Sequence, residues 1–593
     1  MRLRLGWLAP AALLAACAAP PPASAPLPEA ASGLQPKALQ SASRFMVSAA
    51  HPLAVQAGLQ MLQQGGSAVD AAVAVQMMLT LVEPQASGIG GGAFALHWDG
   101  VRVQAFDGRE TAPAAADESL FLRTDGQPRA FAEAAVGGLA VGVPGALKML
   151  EQVHRQHGKL PWARLFEPAI RQAEQGFPVS PRLHALLAAD TALRRQTPAS
   201  GYFYRADGSP HPVGHLLRNP ALAEVLRQIA AQGSWGFYGG AVAQDIVQRV
   251  AERNGAPGLL GLADMAVYQS LERPPMCTDW TPRWRVCGMP PPSSGHLAMM
   301  QILGLLQATP SAPAPLADGV PSAAWLHVYT EAARLAFADR ALYVADPAYV
   351  QAPGGDWDSL LAPAYLRERA SLIGARAMPQ VPAGRPGSVA QALAPQAPQP
   401  ESGTSQMSIV DAAGNAFSMT TSIQTAWGSR LLSDGGTGLP GGFLLNNQLT
   451  DFAFAPRDAA GRPVANRVQA GKRPRSSMSP TLVFERGDGR LRLVAGSTLG
   501  AMIIHSMAKA SLGNLAWGLD VQQAIDLPNF GPIDGPLLLE QGRFPAPTLQ
   551  ALRELGHRVA EAELPTGLQL IEVQPGRLLG GADPRKEGIA AGD

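Results

Sequence analysis

A threonine follows a glycine in Glu401-Ser402-Gly403-Thr404-Ser405-Gln406-Met407-Ser408, at the start of a predicted strand and behind a proline-rich loop. Breaking the Gly403–Thr404 bond would give Thr404 a free α-amine. Such an amine has a pKa near ~8, so at neutral pH it can take the proton of its own hydroxyl, directly or through water, with no histidine needed. In an intact chain the same Thr is an ordinary turn residue. Arg109 and Asp451 are equally double-sided. Alone, Arg109 reads as a surface ion pair with Glu110 or Asp107, and Asp451 as a turn or helix cap. Other reactive patterns are absent from the sequence: there is no Gly-x-Ser-x-Gly elbow, Walker loop, His-Glu-x-x-His or Cys-x-x-Cys. His154 and His157 read as exposed helix residues with no acidic partner at ligand spacing. The glycines of 88–92 precede a strand instead of opening a helix after one, the wrong setting for a dinucleotide loop.

The elements that must position these residues are legible in outline. Val55, Leu59 and Leu62 recur at helical spacing, Gly65-Gly66 ends that helix, and Ser67 is placed to cap the next. Ala68 to Leu81 is apolar almost all round, which predicts a helix buried between layers. Phe94 to Trp98 and Val101 to Phe106 read as a hairpin around Asp99-Gly100. Residues 140–380 read as mainly helical with a hairpin near 272–288, and residues 375–401 as a proline-rich loop. Beyond 403, strands are predicted at 407–410, 416–421, 481–484 and 491–495, and helices at 502–512 and 521–525. Helix and strand layers together point to a layered architecture.

The chain has 593 residues, with 47 Lys plus Arg against 46 Asp plus Glu. That balance gives no electrostatic footprint for nucleic acid. Arg2 and Arg4, the apolar stretch Leu5–Leu14 and then Leu14-Ala15-Ala16-Cys17 read as an export signal, residues 1–16, ending in a lipobox with Cys17 lipidated. An ordinary signal peptide with an incidental Cys is the other reading. Residues 17–40, rich in Ala, Pro and Ser, read as a flexible tether. The two remaining cysteines, Cys277 and Cys287, stand equidistant from a turn near Pro282. In an exported protein they are expected to form a disulfide; two buried thiols are the alternative.

Ordered blocks run from about residue 45 to the C-terminus: His51-Pro52-Leu53-Ala54, residues 65–72, Asp107-Gly108-Arg109-Glu110-Thr111-Ala112-Pro113, Gly142-Val143-Pro144-Gly145, residues 289–295, Leu444-Leu445-Asn446-Asn447-Gln448, residues 473–481 and Ala582-Asp583-Pro584-Arg585. Together they resemble the γ-glutamyltransferase family of N-terminal-nucleophile hydrolases. The resemblance implies an α+β fold, a four-layer αββα sandwich, and self-cleavage at Gly403–Thr404 into a large subunit (41–403) and a small one (404–593) that stay together as a heterodimer. It implies no metal and no organic cofactor. Thr404 would attack the γ-carbonyl of glutathione or another γ-glutamyl compound, and water, an amino acid or a dipeptide would resolve the ester. Lipidated Cys17 would anchor the product of export to a membrane facing the bacterial periplasm.

The same resemblance assigns roles. Arg109, Ser476 and Ser477 would take the substrate α-carboxylate, Arg109 through its planar fork. Asp451, Gln448 and Gln424 would take the α-ammonium. Ser422 would bond the nucleophile, and the N–H groups of Leu499 and Gly500 would form the oxyanion hole. The pattern departs from the family in places. Ser422 stands where the family has a Thr and keeps the hydroxyl, Leu499 replaces a usual Gly, Gln424 a usual Asn, and Thr404-Ser405-Gln406-Met407 a more usual Thr-Thr-His-Tyr-like start. These departures keep two further readings open: an acylase with shifted acyl preference, or an uncut surface lipoprotein that binds γ-glutamyl peptides. Residues 452–471 fit either a lid or a plain surface loop.

Overall fold

Side chains alternate along the central strands, and the alternation sorts them into two cores. Val47, Ala49, Met407, Ile409, Phe417 and Met419 pack into one, and Met46, Phe94 and Leu96 into the other. The computed structural model describes residues 32–252, 256–310, 313–389, 391–533 and 535–593. Two seven-stranded antiparallel sheets carry the fold. The first runs Ile589–Gly592, Met46–Ala49, Ser405–Val410, Ala416–Ser422, Gly92–Trp98, Val103–Gly108, Leu271–Arg273. The second runs Gln40–Ala42, Arg577–Ala582, Gln569–Gln574, Leu491–Gly496, Thr481–Glu485, Trp284–Gly288, Met276–Asp279. Serines stitch the facing surfaces: Ser408 Oγ donates to Gln569 O at 2.8 Å and Ser418 Oγ to Ala495 O at 2.8 Å.

Helices Pro52–Gln63 and Ala68–Val82 lie against the first sheet, and helices Gly295–Ala308 and Met502–Leu515 pack in the core of the second. Helix Ala68–Val82 is buried at every residue, as its all-round apolarity predicts. Ser67 caps it and Asp70 closes a capping box. Asp70 also accepts the N–H groups of Lys159 (2.9 Å) and Leu160 (3.2 Å) and lies 3.4 Å from His154 Nε2. His154 is therefore not an exposed residue without an acidic partner. His157 differs too: half-buried, it sits against His97 with ring centroids 4.1 Å apart. Both partners come from distant sequence, so local spacing carries no trace of them.

Most predicted elements appear within two or three residues. The second strand of the early hairpin starts at Val103, not Val101, because Asp99 Oδ1 accepts the N–H groups of Val101 and Arg102 and widens the turn. The described residues of 375–401 form no helix or strand. Cys277 and Cys287 face each other across neighbouring strands and are joined, S–S 2.02 Å. Cys17 and the export signal lie outside the described residues. The tether reading fails from Ser32 onward. Ser32 N donates to Arg585 O and Gln35 N to Pro584 O, each at 3.0 Å, and Lys37 Nζ donates to Asp583 O at 2.7 Å and Lys586 O at 2.6 Å. This segment is held by backbone carbonyls of the C-terminal loop, which composition cannot show. No helix among the described residues is long and apolar enough to cross a membrane.

Candidate active site

Thr404 immediately precedes the strand Ser405–Val410 in the middle of the first sheet, and it is buried. The chain is continuous through it. Thr404 Oγ1 donates to Gly403 O at 2.7 Å, and Ser422 Oγ, from the end of the neighbouring strand, donates to the same oxygen at 2.5 Å. Two hydroxyls thus polarise the carbonyl at the bond the sequence marks for cleavage. Gly403 is required there for two reasons. Its φ is +76°, and a Cβ would stand 2.6 Å from Gln424 O. Ser405 anchors the strand's start: its Oγ donates to Glu83 Oε2 at 2.8 Å and accepts from Ser87 Oγ at 2.9 Å, with Glu83 in turn paired to buried Arg182.

Arg109 leaves the end of strand Val103–Gly108 and is fully buried, not a surface residue. Its Nη2 donates to Asp451 Oδ2 and to Arg475 O (3.0 Å), and its Nε to Pro474 O at 3.1 Å. Asp451 ends the short 3-10 turn Gln448–Asp451, and its Oδ1 accepts from Gln424 Nε2. Gln448 Nε2 reaches Gln424 Oε1 at 3.2 Å, while Gln448 Oε1 is buried with no hydrogen-bond partner among the described residues. Arg109 and Asp451 thus form a buried ion pair, with Gln424 and Gln448 around the anion and one open carbonyl acceptor. Arg109 Nη1 lies 3.6 Å from buried Glu110 Oε2, the ion-pair alternative moved from the surface into the core. Burial pushes the Asp451 carboxyl up to about 6, with Arg109 opposing and Glu401 adding to the rise.

Ser476 and Ser477 are held by the loop after the disulfide hairpin. Ser294 Oγ donates to Ser476 O at 2.7 Å, and Ser476 Oγ accepts from Met478 N at 3.1 Å. Ser477 Oγ donates to Glu401 Oε2 and accepts from Arg340 Nη2 at 2.7 Å. Arg340, Glu401 and Arg475 are not singled out by the sequence. Arg340 sits inside the long helix Ala323–Tyr343, where an Arg is an ordinary surface residue by type. Its tertiary contacts to Ser294, Glu401 and Ser477 distinguish it. With Asp451, these three wall a small cavity of about 30 Å³ in the uncut chain.

Leu499 and Gly500 follow strand Leu491–Gly496 and lie beside the segment before Thr404: a Cβ on Gly500 would stand 2.1 Å from Glu401 O. Leu499 holds φ +89° and Gln424 φ +84°, two of five described non-glycine residues with positive φ. The Leu499 side chain is buried against Met502 and Leu564. The left-handed backbone costs Leu about 1 kcal/mol more than Gly, while deleting a buried Leu side chain loses about 2 kcal/mol. Leu499→Gly is therefore expected to lower the melting temperature by about 1–3 °C, read by calorimetry. A rise would show that strain dominates.

Residues 452–471 are mostly packed. Phe454 stacks on Phe121 with centroids 4.2 Å apart, and Asn466 Nδ2 donates to Asp451 O at 2.7 Å. Ala459 to Arg462 form an exposed tip.

The gamma-glutamyltranspeptidase family model matches residues 54–593. The glutathione hydrolase proenzyme of Escherichia coli (strain K12) is 33% identical over 591 residues, covering 97% of this chain and 96% of that protein. The acylase ACY 1 proenzyme of Pseudomonas sp. (strain V22) is 32% identical over 577 residues, covering 95% and 96%. The crystal structure of cephalosporin acylase from Bacillus halodurans superposes with a TM-score of 0.79 at 27% identity, covering 96% of this chain and 98% of that one. Fold and site together define an enzyme of mixed helix and sheet architecture built around a buried threonine. The chain belongs to the gamma-glutamyltranspeptidase family.

Proposed function

We propose that the protein is a self-processed γ-glutamyltransferase and glutathione hydrolase. The observation that carries the reading is the Gly403 carbonyl oxygen, which accepts both the Thr404 hydroxyl and the Ser422 hydroxyl at 2.7 and 2.5 Å. In processing, Thr404 Oγ1 bonds to the Gly403 carbonyl carbon, the C–N bond breaks, and the hydroxyl proton goes to the departing amine. Water then hydrolyses the ester, leaving a Gly403 carboxylate and a Thr404 bearing both hydroxyl and α-amine. In turnover the same hydroxyl bonds to a γ-glutamyl carbonyl carbon, with the N–H groups of Leu499 and Gly500 receiving the oxyanion. The amide C–N bond breaks, and the α-amine of Thr404 passes the hydroxyl proton to the departing amine. Water or an amine acceptor releases the γ-glutamyl group. The facing sheets with helices on their outer sides support a four-layer αββα sandwich made jointly by residues 41–403 and 404–593. No step draws on a metal or organic cofactor. The N-terminal signal and Cys17 support export and a lipid anchor facing the periplasm.

A gel with N-terminal sequencing tests the reading. Two fragments are expected, the smaller beginning at Thr404, together with release of 4-nitroaniline from γ-glutamyl-4-nitroanilide. One uncut chain would refute it and leave a non-catalytic binding lipoprotein. The acylase relatives and Leu499 favour a second reading, an acylase of shifted specificity. Retention of Asp451 favours the first, since a glutaryl group has no α-amine for that carboxylate to meet.

A further inference from the structure

The uncut chain already holds a carboxylate in this site, and it is its own. Glu401 Oε1 accepts from Arg340 Nη2 at 2.9 Å, and Glu401 Oε2 accepts from Ser477 Oγ. Arg340 also donates through Nη2 to Ser477 Oγ (2.7 Å) and through Nε to Ser294 Oγ (2.8 Å), so its guanidinium and the serine form one preset grip. The guanidinium lies over the Phe337 ring, 5.5 Å from its centroid, which fixes its plane. Burial alone would raise the Glu401 carboxyl; Arg340, the Ser477 hydroxyl and Arg475 outweigh it and hold the group below the usual carboxylate range. Phe337, Arg340, Glu401, Asp451 and Arg475 wall the same cavity, so the grip opens beside the anion that meets the substrate ammonium.

Arg109 does not fill this need by itself. Its Nε and Nη2 are bonded to Pro474 O, Asp451 and Arg475 O, and only Nη1 has no hydrogen bond. Holding both oxygens of a carboxylate takes a second donor set. Glu401 stands just before the bond that is cut, and a segment that becomes a chain end can leave.

We propose that Arg340, acting with Ser477, binds the α-carboxylate of the γ-glutamyl group, and that the uncut chain covers this subsite with the Glu401 carboxylate. The proposal rests on the γ-glutamyl reading above. It makes Arg340 a specificity-determining residue, and it makes the precursor blocked by a carboxylate of the kind it later binds.

The test compares wild type with Arg340→Gln, each checked for processing on a gel. L-glutamate and 4-aminobutanoate, which lacks the α-carboxylate, compete against turnover of γ-glutamyl-4-nitroanilide. Arg340→Gln is expected to raise the KM and weaken glutamate inhibition about 10- to 100-fold, the scale of a lost hydrogen bond to a charged group. Inhibition by 4-aminobutanoate should change by no more than about two-fold. Equal losses for both competitors, or none, would overturn the proposal. If Arg340→Gln stays uncut, Arg340→Lys is read in the same way, and both variants staying uncut would also overturn it in favour of a purely structural role. Failure of wild type to turn over the anilide is a different result, which sinks the γ-glutamyl reading itself.

Discussion

Thr404→Ala is expected to remain a single uncut chain and to lose turnover by on the order of 10⁴-fold or more, the scale seen when a covalent nucleophile is deleted. Both losses follow from one atom. The Thr404 hydroxyl is the group poised at Gly403 O, and no histidine stands at that carbonyl as an alternative base or nucleophile among the described contacts. The methyl of Ala fits the same buried position, so the sheet should form and the melting temperature should fall little. Mass spectrometry of the purified chain and an anilide assay read the two outcomes separately. A variant cut after Gly403 would show that the chain is opened by another group or another protein. A variant that is uncut yet active would show that the reactive hydroxyl lies elsewhere.

The parts of this site visible in the sequence are those written locally or in ordered blocks. Ser67 as a cap, the all-round apolar helix after it, the Cys277–Cys287 pairing across a short turn and the strand after Thr404 each depend on neighbours within a few residues. Arg109, Asp451, Gln424, Gln448, Ser476 and Ser477 come as a set through family resemblance; hydrogen bonds join the first four, and Ser477 meets Arg340 and Glu401 instead. What local reading misses is set by contacts across the fold. Arg340 looks like any helix arginine until Ser477 is beside it. Glu401 looks like a loop residue until it lies on that arginine. His154 looks exposed until Asp70 is found against it. The segment from Ser32 looks like a tether until the C-terminal carbonyls receive its N–H groups. Leu499 is a mixed case. A Leu where the family usually has Gly is visible in the sequence, and it holds φ +89°, but the cluster with Met502 and Leu564 that offsets the strain is tertiary.

Asp451→Asn carries the second large expected effect, a fall in kcat/KM for γ-glutamyl anilide of about 10²- to 10³-fold, the scale of breaking a buried, hydrogen-bonded charge pair. The substitution keeps shape and removes charge. It takes the anion from the substrate ammonium and leaves the Arg109 Nη2 without its carboxylate partner. Glutaryl anilide, which has no ammonium, loses only the second of these. The ratio of γ-glutamyl to glutaryl turnover should therefore collapse toward one, and that ratio distinguishes a recognition role from general loosening of the site. The pH dependence gives an independent check. With the Asp451 carboxyl pushed up to about 6, chiefly by burial, the ionised form dominates above that pH and the neutral form below it. Wild-type KM for the γ-glutamyl substrate should rise as pH falls through that region, because a protonated Asp451 cannot pair with the ammonium. Glu401 adds to the rise in the uncut chain, so the proposed departure of its carboxylate would move the transition downward. Asp451→Asn should show a high KM with no such step. A step retained in the variant would assign the titration to another group and remove Asp451 from ammonium recognition.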